Sequence, residues 1–244
     1  MRDWILMKIK ITKGGTNISY RIDNTFLQIK NYNNFNHQIN YELLSNFDFV
    51  PKLISNNQKE IVWEYVDGIE PVIDLNNINL IAKQIKQLHN SNLIFPNNNL
   101  KQRVQYYRTK MNELNTQVEV INKYASLIDQ ILDSMQFDTP LHNDLFPFNM
   151  IQTDNKIYFV DWEYATMGDK HFELAYLIET SNMSSECEKV FLDLYKDYDQ
   201  HKLLLNKIFV NYIVILWIRT QTSAPYNTTF FEQKIINYVT KLTI

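Results

Sequence analysis

The run His142-Asn143-Asp144-Leu145-Phe146-Pro147-Phe148-Asn149, followed by Val160-Asp161-Trp162-Glu163, packs an Asp, an Asn and a second Asp into one short window. Asn149 follows Asp144 by five positions, and Asp161 follows Asn149 by twelve. Each residue type has a physical use at this spacing. A carboxylate beside a hydroxyl can orient it and take its proton. An amide oxygen and a second carboxylate are the oxygen donors that a hard divalent cation prefers. Between them, Lys156-Ile157-Tyr158-Phe159-Val160 is apolar and rich in strand formers, so it reads as the strand that returns Asp161 to the loop. The bland alternative is a surface hairpin rich in turn residues. Asn is abundant throughout, as in Asn76-Asn77 and Asn97-Asn98-Asn99, so one Asn alone means little. The combination carries the argument.

Working outward, glycine is scarce. The chain has four: Gly14, Gly15, Gly68 and Gly168. A chain this sparing keeps glycine where a positive φ or a close approach demands it. Gly14-Gly15-Thr16-Asn17 lies between two alternating segments and reads as a hairpin turn. Gly68 follows the strand-like Ile61-Val62-Trp63-Glu64-Tyr65-Val66-Asp67 and suits a hinge.

The wider pattern changes at Gly68. Segments 5–11, 18–22, 25–30, 52–55 and 60–65 have β character, with one helix expected near 37–47. Afterwards Ile78, Ile81, Ile85 and Leu88 fall at helical spacing, as do Ile121, Ala125, Ile128 and Leu132. Helices are expected near 171–181, 185–197, 202–222 and 230–241. His89 ends a helix as a structural contact, and His142 shapes the loop before Asp144 rather than moving protons.

The motifs Gly-Gly-Thr-Asn (14–17), Leu-His-Asn-Asp-Leu…Asn (141–149) and Val-Asp-Trp-Glu-Tyr-Ala (160–165), with Trp217 in a late apolar helix, resemble the choline/ethanolamine kinase family. That family lies within the aminoglycoside-phosphotransferase-like kinases, and the bacterial choline kinases look most similar. The resemblance implies an α+β, bilobal, protein-kinase-like fold. Residues 1–67 would form a small β-rich nucleotide-binding lobe, and residues 68–244 a larger helical lobe with the catalytic and substrate residues. It implies ATP-dependent transfer of the γ-phosphoryl group to a small alcohol, choline first, with ATP and Mg²⁺ as cofactors. Asp144 would be the catalytic base, and Asn149 and Asp161 the magnesium ligands. Gly14, Gly15, Thr16 and Asn17 would cover the phosphates with backbone N–H groups. Lys30 would reach the phosphates from its strand and pair with Glu42. Glu64, Tyr65 and Val66 would offer backbone groups to adenine. Tyr164, Glu179 and Trp217 would hold the quaternary ammonium, which aromatic faces and carboxylates bind without a hydrogen bond. The chain departs from the family in having Thr220 where a second Trp is usual, and Glu173 where Asp is usual.

Bulk properties exclude several classes. At 244 residues the chain can bury a full core. A net charge of −3 advertises no surface for nucleic acid or anionic membrane. The single Cys187 excludes an intrachain disulfide and suits a cytoplasmic setting. Met1-Arg2-Asp3-Trp4 lacks the apolar run of a signal peptide. The apolar stretch Ile208–Ile218, interrupted by Asn211, falls short of the ~20 residues of a membrane span and reads as a buried helix. The alternatives kept open are another acceptor (ethanolamine, thiamine or an aminoglycoside) and a nucleotide-binding pseudokinase acting as an interaction module. A protein kinase is disfavoured by the short chain, the single Gly pair and the missing Ala-Pro-Glu.

Overall fold

The computed structural model describes residues 8–14, 16–221 and 227–242. Five short strands, β1 (Lys8–Ile11), β2 (Ile18–Ile22), β3 (Thr25–Ile29), β4 (Leu53–Asn56) and β5 (Glu60–Glu64), form one antiparallel sheet. Its order is β1-β2-β3-β5-β4. Alternation of apolar and polar side chains fixes the register, for example Phe26 opposite Trp63 and Gln28 opposite Ile61. A helical part follows: α1 (Ile78–His89), α2 (Leu100–Glu113), α3 (Glu119–Lys123), α4 (Ala125–Ser134), α5 (Lys170–Thr180), α6 (Ser185–Tyr195), α7 (Gln200–Thr220) and α8 (Thr229–Leu242). Two small ribbons lie between α4 and α5: β6 (Thr139–Leu141) pairs with β9 (Thr166–Gly168), and β7 (Met150–Gln152) with β8 (Ile157–Phe159). The expected α+β division into a sheet-rich first part and a helical second part is what the molecule shows.

The helix expected near 37–47 is replaced. His37 has φ 56°, a left-handed conformation that a helix cannot continue through. What remains is a 3-10 helix, Tyr41–Asn46, capped by the Asn40 side chain. Residues 5–7 of the first expected strand lie outside the described residues. The helix α2 is not among the elements expected. Its buried face is Leu100, Val104, Tyr107 and Met111, spaced as a helix requires but with polar residues on every other side.

The core centres on α7, which packs against α2, α4, α5 and α8. This helix is long and apolar enough to cross a membrane by length and composition, yet most of it is buried inside the protein. Asn211, mid-helix and fully buried, donates to Glu179 Oε2 at 2.9 Å and to the Lys207 carbonyl at 2.8 Å. Buried polar groups need such partners, and here they tie α5 to α7.

One junction orients the two parts. Ile69 bridges to Gln152, with N–H···O bonds of 3.0 and 2.7 Å in the two directions. This pins the segment after β5 onto the β7–β8 hairpin. Gly68 permits it: a Cβ there would meet the Gln152 carbonyl oxygen at 2.5 Å and Ile151 Cγ2 at 2.7 Å.

Candidate active site

The loop after β6 and the hairpin β7–β8 bring the predicted acidic window together. Asn149 closes a 3-10 turn, Pro147–Asn149, and its Nδ2 donates to both the main-chain oxygen and Oδ2 of Asp144, each at 2.9 Å. The amide nitrogen is thus spent on Asp144, and Oδ1 is left outside these bonds. Asp161 follows β8 in a left-handed conformation, φ 62°, which turns its carboxylate into the cleft. Gln28 Nε2 donates to Asp161 Oδ1 at 3.1 Å. Burial and the nearby Glu163 charge push the Asp161 carboxyl up to about 7. A buried carboxylate whose neighbours disfavour its charge, lining the same cleft as Asn149, fits a divalent cation. Among the described residues no group of three or more His, Cys, Asp or Glu side chains gathers that could hold a metal ion.

Asp144 is held from three sides. Its Oδ1 accepts from the Tyr176 hydroxyl at 2.6 Å. Its backbone N–H reaches His142 Nδ1 at 3.3 Å, so the other ring nitrogen, 2.9 Å from the Val160 carbonyl, carries the proton. Burial holds the His142 ring below the usual histidine range, consistent with that neutral tautomer. Burial also raises the Asp144 carboxyl, against the Tyr176 bond and the Arg103 charge, which lower it. Asn143, at φ 64°, donates its backbone N–H to Glu173 Oε1 at 2.8 Å. Glu173 Oε2 lies 2.8 Å from His89, whose other nitrogen lies 2.8 Å from the Tyr195 hydroxyl. A chain of buried polar groups therefore runs from the loop to α1 and α6. Glu173 supports the loop directly, and His89 is a structural contact.

The cleft between sheet and helices, about 250 Å³, is lined by Gly14, Gln28, the Glu64–Val66 segment, Asn149 and Asp161. Gly14 adopts φ 107°, which only glycine takes without strain. Gly15 lies outside the described residues. Asn17 is drawn inward: its Nδ2 donates to Glu163 Oε2 at 2.9 Å, and its Oδ1 accepts from the Asn31 N–H at 2.9 Å. Asn36 Nδ2 and His37 Nε2 meet the same Glu163 oxygen at 2.8 and 3.1 Å. Glu163 thus knots the glycine turn and the 31–37 loop to the segment carrying Asp161.

Three of the residues read from sequence stand elsewhere. Lys30 lies one residue past β3, and its amine donates to Asn56 Oδ1 at 2.6 Å and the Asn57 carbonyl at 2.7 Å, at the outer β4–β5 turn. Glu42 is exposed on the 3-10 helix, and no ion pair joins it to Lys30 among the described residues. The Asp161-facing position on this strand belongs to Gln28 instead. Glu179 is buried and consumed by Tyr238 at 2.8 Å, Lys234 at 3.0 Å and Asn211 at 2.9 Å. It fastens α5 to α7 and α8, so no charge remains for a ligand.

Tyr164 borders the Asp144 region: its hydroxyl accepts from Asn33 at 2.8 Å, and the Arg103 guanidinium lies 4.5 Å from its ring centre. Trp217 is 43% exposed on a helix otherwise mostly buried, so it is not a core residue. Thr220 is buried, its hydroxyl turned back onto the Trp217 carbonyl at 2.8 Å. Residues that sequence reasoning missed are Gln28, Arg103, Glu163 and Tyr176. A signal existed for some. Gln28 is the lone polar residue inside Phe26-Leu27-Gln28-Ile29, and Tyr176 sits one helical turn after Glu173, which aims both at the loop.

A kinase-like fold, with Asn149 and Asp161 lining its cleft and Asp144 tied to Asn149, is that of a phosphotransferase acting on an alcohol. Residues 41–204 match the APH phosphotransferase enzyme family, and the chain belongs to that family. It is 86% identical to a protein LicA homolog of Mycoplasma capricolum subsp. capricolum over 237 residues, which is 97% of this chain and 100% of that protein. Its fold is similar to that of the choline kinase LicA from Streptococcus pneumoniae, with a TM-score of 0.76 and 21% identity over 98% of this chain and 93% of that one. A LicA structure in complex with AMP aligns with a TM-score of 0.72 and 22% identity, covering 98% of this chain and 91% of that chain.

Proposed function

We propose that this enzyme transfers the γ-phosphoryl group of Mg·ATP to the hydroxyl of choline. The observation that carries the reading is the tie between Asp144 and Asn149. One amide orients the base from a residue that lines the same cleft as Asp161. Asp144, steadied by Tyr176, orients the acceptor hydroxyl and takes its proton as the oxygen attacks phosphorus. The proton that leaves the alcohol goes to the Asp144 carboxylate, and the bond to the bridging oxygen of ADP breaks. Magnesium on Asn149 Oδ1 and Asp161 would supply charge neutralisation at the phosphates. Gly14 at the cleft edge would face the phosphates, with Thr16 and Asn17 following it, and the Glu64–Val66 backbone would meet adenine. Catalysis is then mainly positioning and electrostatics. The boundary near residue 67 serves as the hinge between nucleotide and substrate parts.

Choline is favoured by the LicA relatives and by the half-exposed Trp217, which offers an aromatic face to a trimethylammonium group, whereas the Tyr164 ring already carries the Arg103 guanidinium. An aminoglycoside is disfavoured by particular residues: Arg103 stands beside Asp144 and Tyr164, and Glu179 is neutralised by lysines. A polycationic sugar needs spare carboxylates. The reading places the enzyme in the cytoplasm, where Mg·ATP is available. The test is ADP release from Mg·ATP with choline, ethanolamine, thiamine or kanamycin as acceptor. Choline-dependent turnover well above the others is expected. Turnover with another alcohol alone would replace choline, and ATP binding without turnover would favour the pseudokinase.

A further inference from the structure

The cleft assigned to the nucleotide is short of positive charge. Among its described lining residues, Lys13 is the only one with a cationic side chain, while Glu64, Glu70 and Asp161 contribute carboxylates. The strand that borders the cleft offers Gln28, not a cation, and Gln28 is bound to Asp161 at 3.1 Å. Lys30 is committed to Asn56 and Asn57 away from the cleft. A polyphosphate entering here needs a compensating charge, because desolvated phosphate oxygens are costly without one.

Lys13 has the reach to supply it. It immediately precedes Gly14, whose φ of 107° bends the turn at the cleft edge. Its amine lies 5.9 Å from the ring centre of Phe148, the neighbour of Asn149 in the catalytic loop. From there it pairs with the Glu70 carboxylate across the cleft mouth. Both side chains are substantially exposed, 56% and 42%, so the pair contributes little stability and exchanges readily.

We propose that Lys13 is the phosphate-binding cation of this enzyme, and that it leaves Glu70 for the polyphosphate of an incoming nucleotide. Glu70 then acts as a competitor that a nucleoside polyphosphate must displace. The inference rests on the nucleotide reading of this cleft, and the experiment separates the two. Binding of Mg·ATP and of adenosine to the full-length protein is measured by calorimetry for wild type, Lys13→Met, Lys13→Arg and Glu70→Gln. Lys13→Met is expected to weaken Mg·ATP by roughly tenfold or more, as loss of a charge-assisted contact implies, and to leave adenosine unchanged. Lys13→Arg retains most of the affinity, and Glu70→Gln tightens Mg·ATP several-fold. Wild-type Mg·ATP affinity in Lys13→Met overturns the proposal while leaving the nucleotide site intact. Equal losses for ATP and adenosine overturn it in favour of a packing role. Failure of the wild type to bind either ligand overturns the nucleotide reading and this proposal with it.

Discussion

Asp144 sits under opposed influences, and their balance governs its proposed use as a base. Burial raises its carboxyl, while the Tyr176 hydroxyl at 2.6 Å favours the ionised form. Tyr176→Phe removes a donor to the carboxylate and leaves burial unopposed by it. The Asp144 carboxyl therefore rises further, and the acid limb of the kcat/KM profile moves to higher pH. A pH–rate profile of the variant checks this, and an unmoved limb would separate Tyr176 from the base. Asp144→Ala is expected to abolish turnover while Mg·ATP still binds, as activity and calorimetry together report. Asp161 gives a second pH dependence. Its carboxyl is pushed up to about 7 by burial and by Glu163, and a cation binds only the ionised form. Lowering the pH through 7 protonates it, so Mg·ATP affinity falls on the acid side by up to about tenfold per pH unit. Magnesium titrations at several pH values read that slope, and a flat response would remove Asp161 from the metal.

Elements place these residues by means that differ in how openly the sequence displays them. The β7–β8 hairpin was legible because residues 156–160 are rich in strand formers and lead straight to Asp161. The 3-10 helix at Tyr41–Asn46 was not, because its shape follows from Asn36 and His37 being pulled to Glu163 far along the chain. Glu179 makes the same point in reverse. A buried carboxylate within an apolar helix looks like a ligand-binding group until its partners on α7 and α8 are seen. Glu179→Ala leaves Lys234 and Asn211 without their partner, and is expected to cost about 3–5 kcal/mol, checked by urea unfolding. The half-exposed Trp217 contributes less to the core. Trp217→Ala is expected to raise KM for choline more than KM for ATP. An unchanged choline KM would take it out of the acceptor site.

At the scale of the whole molecule, the sheet and the helical part meet through a few specific contacts. Glu163 gathers Asn17, Asn36 and His37 onto the segment after Asp161, and the Ile69–Gln152 bridge fixes the linker. Gly68→Ala tests the second of these. The added Cβ meets main-chain atoms of β7, which cannot rotate away. A loss of about 1–3 kcal/mol in unfolding free energy is expected, together with a lower kcat as Asp161 and the cleft wall lose register. Stability equal to wild type would show that the linker is free to shift.

The sequence by itself determined the local chemistry. Spacing places Asp144 and Asn149 just before one hairpin and Asp161 just after it, scarce glycines mark the turn and the linker, and helical periodicity identifies α1 and α4. These features depend on residues close in the chain, where strand and helix geometry leave little choice. The tertiary structure alone decided which distant groups complete the site. It put Gln28 rather than Lys30 against Asp161, spent Glu179 on the core, set Tyr176 on Asp144 and joined Glu163 to Asn17. The reason is physical. A buried polar side chain must find a partner, and which partner it meets depends on how separate elements pack, which no local pattern records.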